Sequence, residues 1–230
     1  MVARNHNQIH NRCLKVPEGG WLALADGVLI GLCGAGPVAA ERGAQLLAEQ
    51  GATALLSWGC AAALAPDLRP GALTLPGQIL AADGQILDAD AAWRGRLLAA
   101  LDGRLPVQGG VLAESRHIVA LAQDKQAIHA ATGAIALDME SAAAARAAQA
   151  LSLPFLAVRS IIDPADTNIP ASIAQAFDAD GLLHVPQMLG RALLRPLDFI
   201  AIIRLGRHFG AAMDTLRHVA ALAPPRFAAP

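Results

Sequence analysis

Two apolar runs in this chain end in acid. The stretch 135–141 reads "IALDMES" and closes on Asp138, Met139 and Glu140; the run 154–163, "PFLAVRSIID", closes on Asp163. Carboxylates of this kind divide labour well. One that stays ionised accepts hydrogen bonds from hydroxyls and steadies developing positive charge, and one buried enough to keep its proton donates to a leaving group. Simpler duties fit the same residues. Asp138 suits a helix N-cap with Glu140 in the first turn, and Asp163 before Pro164 suits a turn. From these residues alone, capping is the commoner reading.

Two further stretches carry candidate chemistry. "GLCGAGPVAAERG" (31–43) places Gly34-x-Gly36-x-x-Ala39 between a strand-like run and a helix. It is similar to a dinucleotide fingerprint, but that fingerprint wants an acid closing the next strand, where Trp58-Gly59-Cys60-Ala61 stands instead. A nicotinamide cofactor is therefore disfavoured, and no GxxxxGK[ST] motif supports nucleoside triphosphate binding. The glycine turn retains backbone amides suited to phosphate. In "ESRHIVALAQDK" (114–125), Arg116 follows a strand and presents a fork for phosphate, with His117 and Val119 beside it as candidate substrate contacts. A surface arginine accounts for Arg116 about equally well. His6 and His10 have a metal-compatible spacing but no third ligand. Cys13, Cys33 and Cys60 form no CxxC; Cys33 and Cys60 read as small core residues of a reduced protein.

Strands alternating with helices must position these groups. Strands are expected at 27–33, 52–59, within 65–80, at 107–113, 134–138 and 154–163. Helices are expected at 37–50, 89–101, 118–131 and 139–151, and from about 171 onward. This is α/β: one domain with a mixed, mostly parallel central sheet flanked by helices and a helical C-terminal region. If the strands ending at Asp138 and Asp163 are parallel neighbours, Glu140 and Asp163 reach one crevice. The 230 residues suffice for one sizeable core. A net charge of −1 and an aromatic content of 3% point away from nucleic acid. The polar start lacks the apolar core of a signal peptide, and no apolar run is long enough to span a bilayer.

"ALDMESAAAARAAQALSLPFLAVRSIIDPAD" (136–166) resembles the signature region of the purine and uridine phosphorylase superfamily, which includes the methylthioadenosine/S-adenosylhomocysteine nucleosidases. "LLSWGCAAALAPDLRPGAL" (55–73) is similar to that family's Gly-rich segment, with Ala61-Ala62-Ala63 where Ala-Gly-Gly is usual. Within the superfamily, "VRSIIDPADTNIPAS" and the segment from Asp180 to Arg217 resemble the hopanoid-associated phosphorylases. The resemblance implies an enzyme that cleaves the N-ribosidic bond of an adenine nucleoside, by phosphorolysis of an adenosyl-hopanoid; the alternatives are a methylthioadenosine/S-adenosylhomocysteine nucleosidase that uses water and a catalytically inactive ligand- or membrane-binding homologue. Met139 would pack on the ribose, Glu140 would bind its hydroxyls and Asp163 would face the purine. Cys60 and Ala61 would line the site with their backbone. The family's N-terminal strand with its catalytic acid has no counterpart in residues 1–20, which favours phosphate over water as nucleophile. Gly34, Gly36 and Arg116 are the phosphate candidates.

The expected organisation is an irregular tail (1–20), a nucleoside phosphorylase-like domain (21–223) and a short C-terminal tail (224–230). No cofactor or metal is expected beyond inorganic phosphate as co-substrate. The expected partner is a small-molecule nucleoside, lipid-linked if the hopanoid resemblance holds, in a homo-oligomer. The segment 182–223 holds five arginines against two acids, with Phe199, Ile202, Ile203, Phe209, Met213 and Leu216 at helical spacing. Core or subunit packing is the commoner role of such a stripe, and the basic side would also suit an anionic membrane surface. The expected location is cytoplasmic, with peripheral membrane contact as an option.

Overall fold

A computed structural model describes residues 20–23, 27–32, 34–170, 173 and 196–223. In chain order its elements are β1 (Trp21–Ala23), β2 (Leu29–Gly31), α1 (Pro37–Glu49), β3 (Leu55–Ala63), β4 (Leu73–Thr74), β5 (Gln78–Leu80), β6 (Ile86–Asp88), α2 (Ala91–Leu101), β7 (Val107–Gln108), β8 (Val111–Glu114), α3 (Ala122–Thr132), β9 (Ala136–Asp138), α4 (Ser141–Ala150), β10 (Phe155–Asp163) and α5 (Pro196–Leu222). The expected tails and Cys13 and Cys33 lie outside the described residues.

β3 and β10 pair in parallel along their length and form the spine of an eight-stranded sheet ordered β6-β5-β8-β9-β3-β10-β4-β7. Parallel pairs also join β4 to β7, β5 to β8 and β8 to β9; β9 runs antiparallel to β3, and β4 antiparallel to β10. The expected strand at 107–113 is two strands in different parts of this sheet. Gly109 and Gly110 bend the chain between them. Gly110 has φ +137°, and a Cβ there would meet Ile135 at 3.0 Å, so only glycine fits. The region 73–80 bends alongside it: the Leu75 amide donates to Gln108 (3.0 Å) and that of Gly77 to Gly110 (3.2 Å). The ring of pairings β3–β10–β4/β5–β7/β8–β9–β3 is thereby closed. β3 is occupied on both sides, so β2 finds no edge there and instead forms a separate hairpin with β1.

β10 is buried on both faces, in keeping with a run that is apolar apart from Arg159, Ser160 and the closing Asp163. On one side α1 and α4 cover Leu55, Ala61, Phe155, Ala157 and Ile161. Alanines fill the inner face of α4, both favouring helix and letting α1 approach closely. On the other side Trp93, Leu97 and Leu101 of α2 join Leu216 and Val219 of α5 over Leu156 and Val158. Each fully buried leucine stabilises by roughly 1.5–3 kcal/mol. Asp90 caps α2 by accepting from the Trp93 amide at 2.6 Å.

Candidate active site

The registers decide where the acids go. Leu137 and Asp163 both pair with Ala62 of β3, from opposite sides. The strands carrying Asp138 and Asp163 are therefore not parallel neighbours: β3 separates them, and β9 runs antiparallel to it. Their carboxyl ends still flank the same part of β3, beside Cys60 and Ala61. A break in the β10 register between Ile161 and Asp163 turns the last residue of that strand. β8 ends beside β9, and the Ser115 amide donates to the Asp138 carbonyl (2.8 Å), so the loop bearing Arg116 and His117 lies next to Met139 and Glu140.

Asp138 does two structural jobs. Its Oδ1 accepts the Ser141 amide (3.1 Å) as a cap for α4, and its Oδ2 accepts Arg159 Nε (2.6 Å) and Ser141 Oγ (2.5 Å). Arg159 is 2% exposed and also donates through Nη2 to Ser57 Oγ (2.6 Å) and Ser141 Oγ (2.8 Å). This network is buried, and its hydrogen bonds satisfy the pair.

Glu140 begins α4 without capping it. Its Oε1 accepts the Gly36 amide at 2.7 Å and its Oε2 the Met139 amide at 3.2 Å. Gly36 has φ +95° and ψ 166°, a region open essentially to glycine, so this loop conformation depends on Gly36. The glycine turn of the sequence thus delivers its Gly36 amide to a carboxylate. Burial is the main force raising the Glu140 pKa, with the Asp138 charge adding to it; the Gly36 amide, Arg159 and the Met139 amide oppose the rise.

Asp163 belongs to a second network. Lys125 of α3, fully buried, donates from Nζ to Asp163 Oδ2 (2.8 Å), to the Pro164 carbonyl (2.7 Å) and to the Thr167 carbonyl (2.8 Å). Burial raises the Asp163 pKa, and Lys125, His208 and Arg204 pull it back. A cavity of about 10 Å³ beside Asp163 is walled by Thr167 to Pro170 and by Ala201, Arg204, Leu205 and His208 of α5; Glu140 is not in its wall. A hollow that size holds about one water. A cleft of about 560 Å³ between the end of α2 and the start of β7 contains none of the candidate residues.

The other expected residues fall as follows. Met139 and Cys60 are half-buried and Ala61 is buried. Burial raises the Cys60 thiol pKa, with Arg159 opposing. Val119 packs with Leu64, Ala113, Ala134 and Leu137. Gly34, Arg116 and His117 are exposed. Two buried cations were not foreseen. Arg159 had a visible signal, a charge inside an apolar strand. Lys125, in a polar helical stretch, had none.

Comparison with known proteins gives the context. The model of the phosphorylase superfamily matches residues 20–182. No curated protein matches the chain. Among solved structures, the chain is 25% identical to a candidate methylthioadenosine nucleosidase from Weissella paramesenteroides, covering 63% of this chain and 78% of that one with a TM-score of 0.57. The 5'-methylthioadenosine/S-adenosylhomocysteine nucleosidase from Neisseria meningitidis, bound to methylthio-immucillin-A, is 18% identical over 84% of this chain and 79% of its own, with a TM-score of 0.64. The futalosine hydrolase of Helicobacter pylori is 17% identical over 88% and 83%, with a TM-score of 0.65. With the family model spanning the sheet, α1 to α4 and both acid-ended strands, the chain belongs to the phosphorylase superfamily.

Proposed function

We propose that this protein cleaves the N-ribosidic bond of an adenine nucleoside by phosphorolysis, with an adenosyl-hopanoid as substrate. The observation that carries the reading is the separate holding of two carboxylates on either side of β3, Glu140 half-buried and Asp163 buried. Glu140 is fixed by backbone amides, which keep it available as an acceptor for sugar hydroxyls. Its hydrogen bonds strengthen as the sugar gains oxocarbenium character. Asp163, raised in pKa by burial, supplies a proton to a purine ring nitrogen. A phosphate oxygen bonds to the anomeric carbon as the carbon–nitrogen bond breaks, and the electron pair leaves with the protonated base.

Phosphate is favoured by how the carboxylates are used. Asp138 is bound by Arg159 and Ser141, Glu140 by two amides and Asp163 by Lys125. On this reading Asp138 is committed to Arg159 and Ser141, Glu140 to the sugar hydroxyls and Asp163 to the base, which leaves none of the three to deprotonate water, whereas phosphate arrives already nucleophilic. Arg116, exposed in the loop that Ser115 ties to Asp138, is the candidate for the anion, with the exposed Gly34 as a second. The greasy 5′ substituent finds support in Ile200, Ile203 and Phe209, exposed on the helix that also walls the Asp163 cavity. A homo-oligomer and peripheral membrane contact belong to the same proposal. Hydrolysis is the second reading, favoured by the Gly36 amide being engaged by Glu140 and by the nucleosidase neighbours. Adenine release is measured from adenosylhopane, methylthioadenosine and S-adenosylhomocysteine, with and without phosphate. Phosphate-dependent release from adenosylhopane is expected; release equally fast without phosphate overturns phosphorolysis.

A further inference from the structure

Lys125 has a place in this site that neither the family resemblance nor the sequence motifs assign. It is a lysine with no exposed surface, and its ammonium spends all three donors within one segment: on Asp163 Oδ2 and on the Pro164 and Thr167 carbonyls. The same segment is tied to α3 twice more. Asn168 Oδ1 accepts the Ala122 amide (2.7 Å), and the Ile169 amide donates to Ala120 (2.8 Å). The chain beyond β10 is thus wrapped on the start of α3, with Lys125 at the centre of the wrap. Burying a lysine is unfavourable unless it is paired and hydrogen-bonded, and here the pairing falls on the carboxylate that, among the described residues, faces the cavity.

We propose that Lys125 is the positioning residue of Asp163: it holds Oδ2, leaves Oδ1 to face the base, and sets the pH range over which the acid keeps its proton. This deepens the proposed function and rests on Asp163 being the leaving-group acid. The groups facing Asp163 act in one direction. Lys125 from α3 and Arg204 and His208 from α5 all favour the carboxylate, and no second carboxylate lines the cavity among the described residues. Lys125 is the one of these cations that hydrogen-bonds Asp163. Removing it leaves burial less opposed, so the protonated form persists to higher pH. A lysine that merely satisfied loop carbonyls would lower activity equally at every pH.

The test is the pH dependence of kcat/KM for adenine release in wild type, Lys125→Met and Lys125→Gln. Glutamine retains donors for the two carbonyls but no charge, and serves where methionine does not fold. Activity that needs a protonated acid falls as pH rises through its pKa. That fall is expected to move upward by about 1–3 pH units in the uncharged variants, while Lys125→Arg keeps it near its wild-type position. His208→Gln controls for the neighbouring histidine and is expected to move the fall by less. An unmoved fall in Lys125→Gln overturns the proposal. Carbon-13 titration of the Asp163 carboxyl, assigned with Asp163→Asn, reads the same shift without turnover. Absent adenine release with a shifted titration therefore rejects the reaction and keeps the pairing, and an unshifted titration rejects the pairing.

Discussion

Glu140 shows what a single side chain must reconcile at this site. On the proposed reading it has to remain ionised to accept hydroxyls, yet burial and the neighbouring Asp138 both raise its pKa. Two backbone amides oppose that rise, one of them from Gly36, more than a hundred positions away in sequence. The pH consequence follows from the sign of the shift. An acid with a raised folded-state pKa takes up protons on folding between its ordinary pKa and the raised one, so its contribution to stability is lost as pH rises through that window. Glu140→Gln removes this dependence. Thermal unfolding of the variant is expected to be less sensitive to pH above the ordinary carboxylate range than that of wild type. The same substitution is expected to lower kcat/KM by about 100-fold or more, the size of effect seen when one preorganised electrostatic contact is lost. Undiminished activity would remove Glu140 from the sugar site.

At the scale of elements, the site is held by what happens at strand ends. The β9–α4 junction is fixed by Asp138, Ser141 and Arg159, and breaking a buried pair leaves an unmatched charge. Arg159→Leu is expected to destabilise by about 3–5 kcal/mol, read by denaturant unfolding; a cost below about 1 kcal/mol would mean that the network does not hold the junction. The strand-end placement of Asp138 and Asp163 was legible because an apolar run that stops abruptly on a carboxylate is a local pattern. The alternation of strands and helices was legible for the same reason. What escaped was non-local. Gly109 and Gly110 look like a glycine pair within one strand, and only the closed ring of pairings makes them a bend between two. The engagement of Gly36 by Glu140 depends on α1 and α4 meeting, and the burial of Lys125 on a loop folding back over α3. None of these distances is written in the spacing of residues along the chain. The antiparallel run of β9 was missed because three residues carry no signal of direction.

At the scale of the whole molecule, the proposed reading requires one nucleoside to reach both acids. α5 lies over Asp163 and leaves room for about one water, whereas ligand pockets for small molecules run to roughly 300–1,000 Å³. On the proposed reading, the first half of α5 shifts away from Thr167–Pro170 when substrate binds. The second half stays anchored through Leu216 and Val219, which are buried against the sheet and α2, and through the buried Ala212. That division matches the exposure along the helix: Ile200, Ile203 and Phe209 lie in its first half. Among the described residues no helix is long and apolar enough to cross a membrane. The measurement that bears most directly on the account is a crystal structure with a non-cleavable adenine nucleoside analogue. The account predicts Glu140 on the ribose hydroxyls, Asp163 on a ring nitrogen of the base, and α5 displaced at Ala201–His208. An analogue that touches only one of the two acids, or that sits in the cleft between α2 and β7, would contradict it.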